Sequence, residues 1–352
     1  MPTRALASVL LCLLWAAPAA AQATSTPPAS APAAQTPAAD PPAQPPVYEE
    51  QVVVSASRTE QRLVNAPATV SLLSSSTIEA LPAQTYGDLL RTVPGVNVTQ
   101  TSARDINVTS RGATSTLSTS QLALMDGRSL YQDFFGFVAW DFLPINFDEV
   151  KQIEVIRGPA SAVWGANAMT GVVNIITKSP REMQGGSVML SAGTFDRNVT
   201  GRDQDAGSAF TVSASWAQAI DERWAYKVSA GGMTMDALPR PAGTLPNQFR
   251  TPYPAFQNTG TTQPKVDARV DYDFPDGRQK LVVSGGYAGT EGIIHTGIGP
   301  FDISSASVAY AKVGYSRGAF RLGFFTNILD GEATNLLAVD TRGNPMLFLF
   351  DN

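Results

Sequence analysis

The sequence predicts a small α+β domain followed by antiparallel strands of the membrane-barrel type. Three observations carry this expectation. Between about Val47 and Lys178, short helix-like segments are interleaved with short β-rich runs. Beyond Gly185, apolar and polar residues alternate, as in Phe210 to Trp216, Trp224 to Ser229 and Val266 to Phe274. The links between these alternating segments are short and long by turns, as expected of strands threaded back and forth through a bilayer.

The N-terminus reads as an address. Arg4 is the only charge before Asp40, and a largely apolar stretch, Ala5 to Ala17, leads into Pro18 and the small-residue run Ala19 to Ala23. This is the layout of a secretory signal peptide, residues 1–23, and it is too short to span about 30 Å of hydrocarbon. Leu11 before Cys12 argues against a lipoprotein site. Residues 24–46 follow as a Pro/Ala-rich tether with eight prolines, a composition that cannot bury a core.

The compact region, residues 58–180, begins after a segment at 47–57. Thr77 to Leu81 and Thr85 to Arg91 predict short helices opened by threonine caps, the second ended by Pro94-Gly95. Val96 to Thr99, Leu122 to Met125, Ile153 to Ile156 and Val172 to Thr177 predict strands, with Asp126-Gly127 a turn. In residues 185–352, tight turns are expected at Asp221 to Arg223, Pro275 to Gly277 and Arg317 to Ala319. Long loops are expected at about Asp236 to Gln263 and Glu291 to Ser304, the second placing His295 in solvent. Trp216, Trp224 and Tyr287 suit an interfacial girdle. A soluble sandwich would also alternate, so connection lengths, not periodicity, favour the barrel.

Composition narrows the function classes. The chain has 352 residues, a net charge of −5 and 16 % charged residues, below the roughly 25 % usual for soluble domains. The acidic balance argues against nucleic-acid binding, which relies on Lys and Arg neutralising phosphates. One Cys and one His exclude zinc sites, Cys-His nucleophile pairs and HExxH helices, and no nucleophile elbow accompanies His295. No enzyme activity, cofactor or metal is expected. A secreted hydrolase dependent on His295 is the disfavoured third reading.

Ile153 to Ala168, reading IEVIRGPASAVWGANA, followed by Gly171 to Lys178, GVVNIITK, resembles the plug signature of TonB-dependent outer-membrane receptors. Ser110-Arg111-Gly112, Leu124 to Arg128 and Leu89 to Val96 look like that plug's other landmarks in order. Glu50, Gln51, Val52, Val53, Val54, Ser55 and Ala56 are similar to the TonB box. Trp164 in place of the commoner Tyr, and Ser110 in place of an aliphatic residue, are small departures.

The resemblance implies a plug filling a barrel of about 22 strands in the outer membrane, bathed in lipid. It implies a monomer that binds a small molecule or metal chelate outside and is driven by periplasmic TonB and the proton-motive force. A ferric siderophore leads as substrate, with cobalamin, haem or an oligosaccharide as alternatives. A passive or adhesive barrel is the competing class. Val52 to Val54 is a β-branched run with no evident internal partner, suited to strand addition.

Carried over by motif, the substrate-facing apices fall near Gln100 to Asp105, Ala113 to Ser120 and Tyr131 to Trp140. Gln100, Arg104, Leu117, Ser118, Phe134 and Phe135 are the named candidates, Arg104 as an anion donor and the aromatics as a stacking surface. Arg111, Gly112, Glu154, Arg157, Gly158, Gly165 and Gly171 are structural or locking positions. In the family the two arginines pair with glutamates of later barrel strands, and Glu154 is the nearest local acid. Seven or eight strands fit after Gly185, too few to enclose a plug on the order of 35 Å across. The reading therefore expects a truncated receptor with around 14 strands missing.

Overall fold

The computed structural model describes residues 52–53, 61–112, 118–132, 136–198, 205–240, 243–244, 257–296 and 299–351. Contacts divide the chain into Met1–Glu49 and Glu50–Asn352, and everything described belongs to the second unit. The leader and tether lie outside the described residues. So do Glu50, Gln51, Val54, Ser55, Ala56, Leu117, Phe134 and Phe135.

The first part runs β1 (Val52–Val53), β2 (Gln61–Arg62), β3 (Val70–Ser74), α1 (Ser75–Ala80), α2 (Tyr86–Arg91), β4 (Val96–Gln100), β5 (Ile106–Ser110) and β6 (Gln121–Met125). It continues with β7 (Arg128–Ser129), β8 (Tyr131–Gln132), β9 (Phe137–Val138), β10 (Val150–Arg157), α3 (Ser161–Trp164) and β11 (Gly171–Thr177). A five-stranded sheet ordered β3-β10-β11-β6-β7 is its frame. Alternation along the central strands separates two apolar faces. Ile153, Val155, Val173 and Ile175 pack under α1 and α2, whereas Ile156, Val172, Leu122 and Leu124 pack towards Trp164. Full burial of such side chains stabilises by about 1.5–3 kcal/mol each.

Thr85 caps α2 as expected, and Asp88 completes a capping box. The cap of α1 is Ser74 rather than Thr77, because the helix starts two residues earlier and Thr77 supplies the bonded N–H. Asp126 (φ 48°) and Gly127 (φ 81°) make the tight turn between β6 and β7.

The second part is one antiparallel sheet of eight strands in sequence order: β12 (Gly185–Phe195), β13 (Gly207–Ala219), β14 (Trp224–Met235), β15 (Thr261–Asp273), β16 (Gln279–Thr296), β17 (Gly299–Arg317), β18 (Phe320–Val339) and β19 (Pro345–Asp351). Val188, Leu190, Phe210, Val212, Val228, Val266, Val283, Leu322 and Phe324 are exposed on one face. Ser213, Ser215, Lys227, Ser229, Asp267 and Asp271 are buried on the other. An apolar outer face over a polar inner one is the polarity of a membrane wall. Trp224, Tyr272, Phe274, Tyr315 and Phe320 form a continuous ribbon of ring contacts beside the tight turns, with centroids 4.6–6.4 Å apart. This is an interfacial aromatic belt.

The expected loop at Glu291 to Ser304 is strand instead. β16 and β17 run on past the membrane zone and pair as far as Thr296 and Gly299, with a bulge between Thr290 and Gly292.

Gly171 lies opposite Arg157, where a Cβ would stand 2.4 Å from the Ile156 carbonyl oxygen. Gly171→Ala should therefore split β10 from β11, at a cost of about 1–3 kcal/mol or more. Limited trypsinolysis of the intact receptor should cut this variant's plug faster than wild type. Gly193→Ala, whose Cβ meets nothing within 4 Å, should leave the rate unchanged.

Candidate plug–wall seam and substrate face

Side chains on several short segments fasten the α+β domain to the inner face of the wall, Gln84 among them through Ser191 and Thr211, and three segments do so with charged groups. Phe147–Glu149 forms a single 3-10 turn before β10, and Asn146 caps it while Glu149 Oε1 accepts from the Asn146 N–H at 3.1 Å. That box aims Oε2 of Glu149 at Lys227 Nζ on β14, 3.0 Å away, with both side chains at most 2 % exposed. Beside it, Asp148 accepts from Ser215 Oγ at 2.8 Å and from Ser187, and Lys265 Nζ donates to the Ile145 carbonyl at 3.0 Å.

The Asp126-Gly127 turn is the second fastening. Arg128 Nη1 donates to Asn327 Oδ1 at 2.7 Å, Asn327 Nδ2 returns a bond to the Ser129 carbonyl, and Lys312 donates to the Asp126 carbonyl. The third is the connection into β12. Arg181 spends Nε on Asp273 at 3.0 Å and its two Nη groups on the Asp221 and Glu222 carbonyls, so it clamps two tight turns.

The expected substrate apices divide. Gln100 ends β4 and accepts from Arg91 Nη2 at 3.3 Å. Arg104 is not an available anion donor: it is 5 % exposed, and its Nε and Nη2 lie 2.7 and 2.6 Å from Asp141 Oδ2. Ser118 is buried and donates to the Val108 carbonyl at 2.7 Å. Trp140 is 5 % exposed inside the domain's core, and Phe137 packs against Phe142, Phe301 and Ile303. These aromatics are packing residues, because the apex is pressed against the extended ends of β16 and β17. His295 is likewise not in open solvent. Its Nδ1 meets the Thr101 carbonyl at 3.0 Å and ties the wall to the first apex.

The box and locking residues also depart from expectation. Val52 and Val53 do have an internal partner, pairing with Arg62 and Gln61. Val53 is fully buried, and Gln152 Nε2 holds the Val52 carbonyl at 3.1 Å. Arg111, with φ 54°, donates to Thr69 at 3.3 Å, and Gly158 leaves room for its guanidinium. Arg157 donates to the Pro94 carbonyl at 2.5 Å. Neither arginine has an ion pair among the described residues, and Glu154 is engaged by Gln152 at 2.6 Å instead. Gly112 follows Arg111, and Gly165 ends α3 at φ 91°. Among the described residues no cluster of His, Cys, Asp or Glu could hold a metal ion.

Sequence reading missed Glu149, Lys227 and Arg181. Lys227 carried a cue: it is the cation on the small-residue face of its strand.

Asp105, in the first apex, is bonded by Thr101 and by Asn107 Nδ2 at 2.8 Å, yet burial pushes its carboxyl up to about 6. A carboxyl raised from 3.8 binds more protons folded than unfolded, so its apex should lose stability as pH rises from about 4 through 6. Amide exchange over residues 98–108, corrected for intrinsic rates, should show stronger protection at pH 5 than at pH 7. Asp105→Asn should remove the difference.

Residues 62–172 match the TonB-dependent Receptor Plug Domain family. The vitamin B12 transporter BtuB of Vibrio cholerae is 35 % identical over 148 residues, 42 % of this chain and 24 % of that protein. The ferric enterobactin receptor PirA of Pseudomonas aeruginosa is 30 % identical over 190 residues, 49 % and 24 % respectively. An iron-regulated outer membrane virulence protein of Vibrio cholerae is 32 % identical over 160 residues, 45 % of this chain and 24 % of that protein. Among solved structures, the ferric enterobactin receptor PfeA of Pseudomonas aeruginosa superposes with a TM-score of 0.58 at 22 % identity, covering 85 % of this chain and 46 % of that one. The chain thus spans about a quarter of the length of these curated relatives and about half of that solved receptor. Of these, BtuB is named as a transporter and PirA and PfeA as receptors. Residues 62–172 are thus a plug domain of the TonB-dependent receptor type, followed in this chain by an apolar-faced wall of antiparallel barrel strands, and the chain is similar over that region to outer-membrane receptors.

Proposed function

We propose that this receptor imports a scarce nutrient by binding it outside, and that TonB, pulling on the box from the periplasm, then rearranges the plug. The carrying observation is the placement of Val52 and Val53. Among the described residues they form a two-residue strand that pairs with β2 and accepts one side-chain bond, from Gln152. Two paired residues are a marginal sheet. A partner offering a longer strand edge can displace β2 and take over Val52 and Val53 through backbone bonds.

Ferric siderophore import is the leading substrate reading. PirA and PfeA are named for ferric enterobactin, and PfeA shares the fold over most of this chain. Cobalamin is the second reading, supported by the plug similarity to BtuB. A passive or adhesive barrel would need no releasable box.

Val53→Pro removes a backbone donor and fixes φ, whereas Val53→Ala keeps both backbone groups. Cells carrying the intact receptor should be assayed for binding and uptake of iron-labelled enterobactin and labelled cyanocobalamin. For whichever probe binds, Val53→Pro should retain binding but reduce uptake to the level of de-energised cells, and Val53→Ala should remain close to wild type. Undiminished uptake in Val53→Pro would refute TonB coupling through this strand.

A further inference from the structure

The wall's register places three cations side by side beneath the plug. Lys227 on β14 lies opposite Arg269 on β15, Arg269 opposite Ser284 on β16, and Ser284 opposite Lys312 on β17. Directly opposed residues share a face, so Lys227, Arg269, Ser284 and Lys312 form one transverse row, about 14 Å across at strand spacing. Like charges directly opposite one another are destabilising. The row is only partly neutralised: Lys227 faces Glu149 and Arg269 is bidentate on Asp271, but Lys312 has just the Asp126 carbonyl among the described residues.

This row lines a cavity of about 1010 Å³ between the plug and β14–β18. Lys151, Lys280 and Arg321 line the same space, against Asp126, Glu182 and Asp267. The cavity lies on the side of the tight turns, which is the periplasmic side of an outer-membrane barrel.

The next row outward closes it. Ser229, Asp267, Gly286, Tyr310 and Asn327 are in register across β14 to β18. Tyr310 donates to Asp267 over Gly286, where a Cβ would stand 2.8 Å from the Tyr310 ring. The Arg128 guanidinium lies 3.9 Å over that ring and bonds Asn327, so a plug residue seals the row. One inward-facing position further out, Lys265 lines a different cavity of only about 50 Å³. The seal therefore separates the outer side from a roomy, cation-lined chamber.

We infer that the Lys227–Arg269–Ser284–Lys312 row is a way-station for anionic groups of the imported solute, entered when the plug withdraws Arg128 and Glu149. This rests on the import reading above. A carboxylate- or catecholate-bearing chelate has the matching charge. The row would hold it through ion pairs with Lys312 and with the Lys227 that Glu149 leaves behind, and a hydroxyl sits at Ser284 between Arg269 and Lys312.

The test reads the chamber directly and needs no knowledge of the solute. Ser284→Cys is introduced into the intact receptor in outer membranes opened to the periplasmic side, with Ala319→Cys on an exposed turn as reference. Each is treated with the anionic 2-sulfonatoethyl and the cationic 2-(trimethylammonio)ethyl methanethiosulfonates. Cations acidify a nearby thiol equally for both reagents, so the anion-to-cation rate ratio isolates the field. That ratio should be about 10-fold higher at Ser284→Cys than at Ala319→Cys and should shrink in high salt. Adding Lys312→Gln should lower it several-fold, and Lys312→Arg should preserve it, with folding of both variants checked by heat-modifiable migration on gels. A ratio no higher than the reference, or no reaction with either reagent, would overturn the proposal. An intact charge preference in a receptor that takes up neither iron-labelled enterobactin nor labelled cyanocobalamin would instead count against the import reading alone.

Discussion

The contact between Glu149 and Lys227 constrains the rest of the molecule. Removing two charges from water costs several kcal/mol per ion, and only close pairing with further hydrogen bonds recovers it. Glu149 meets that demand because Asn146 caps the same turn and fixes one carboxylate oxygen, leaving the other for Lys227. The pair therefore fixes the start of β10, an interior strand of the plug sheet between β3 and β11, at one height on the wall. Once that height is set, Arg128 falls over Tyr310 of β17 and beside Asn327 of β18, and Arg181 reaches the two tight turns. The plug is seated by polar contacts because the wall must keep its apolar residues for lipid.

This division explains where firmness and freedom lie. Glu149, Arg128 and Arg181 each bind the wall through buried or multiply bonded side chains, and all belong to the later half of the plug. Among the described residues, the backbone of the box strand is held by β2 and Gln152. The strand proposed to pass to a partner is thus attached to the plug rather than to the wall. The apex at residues 100–105 is intermediate. It touches the wall through His295 and keeps its own ion pair, Arg104 with Asp141, out of solvent.

Much of the architecture was legible because it follows from local rules. Alternation in Val266 to Phe274 reports the two faces of β15, since side chains on a strand alternate with period two. Thr85 with Asp88 announces α2 by capping chemistry, and Asp126-Gly127 announces a turn by its positive φ angles. The failures have a common physical cause. Arg104 and Trp140 looked like surface chemistry, but their burial depends on Asp141 and on strands far along the chain. The stretch from Glu291 to Ser304 looked like a loop, yet most of it is a bulged extension of β16 and β17 whose pairing depends on both strands together. Val52 and Val53 looked unpaired because the partner strand, Gln61–Arg62, is too short to show a period. The seam was invisible for the same reason: Glu149 and Lys227 have meaning only together.

The most direct measurement of this account is a double-mutant cycle across the seam. Glu149→Gln keeps a capping side chain at that position, Lys227→Met keeps the bulk, and the pair replaces both charges. In the intact receptor, the urea dependence of plug exposure, read while the barrel stays folded, gives the cost of each change. Each single substitution should destabilise plug seating by about 3–5 kcal/mol, because it leaves an uncompensated buried charge. The double substitution should cost much less than the sum of the two. Strictly additive costs, or singles indistinguishable from wild type, would show that this ion pair does not seat the plug.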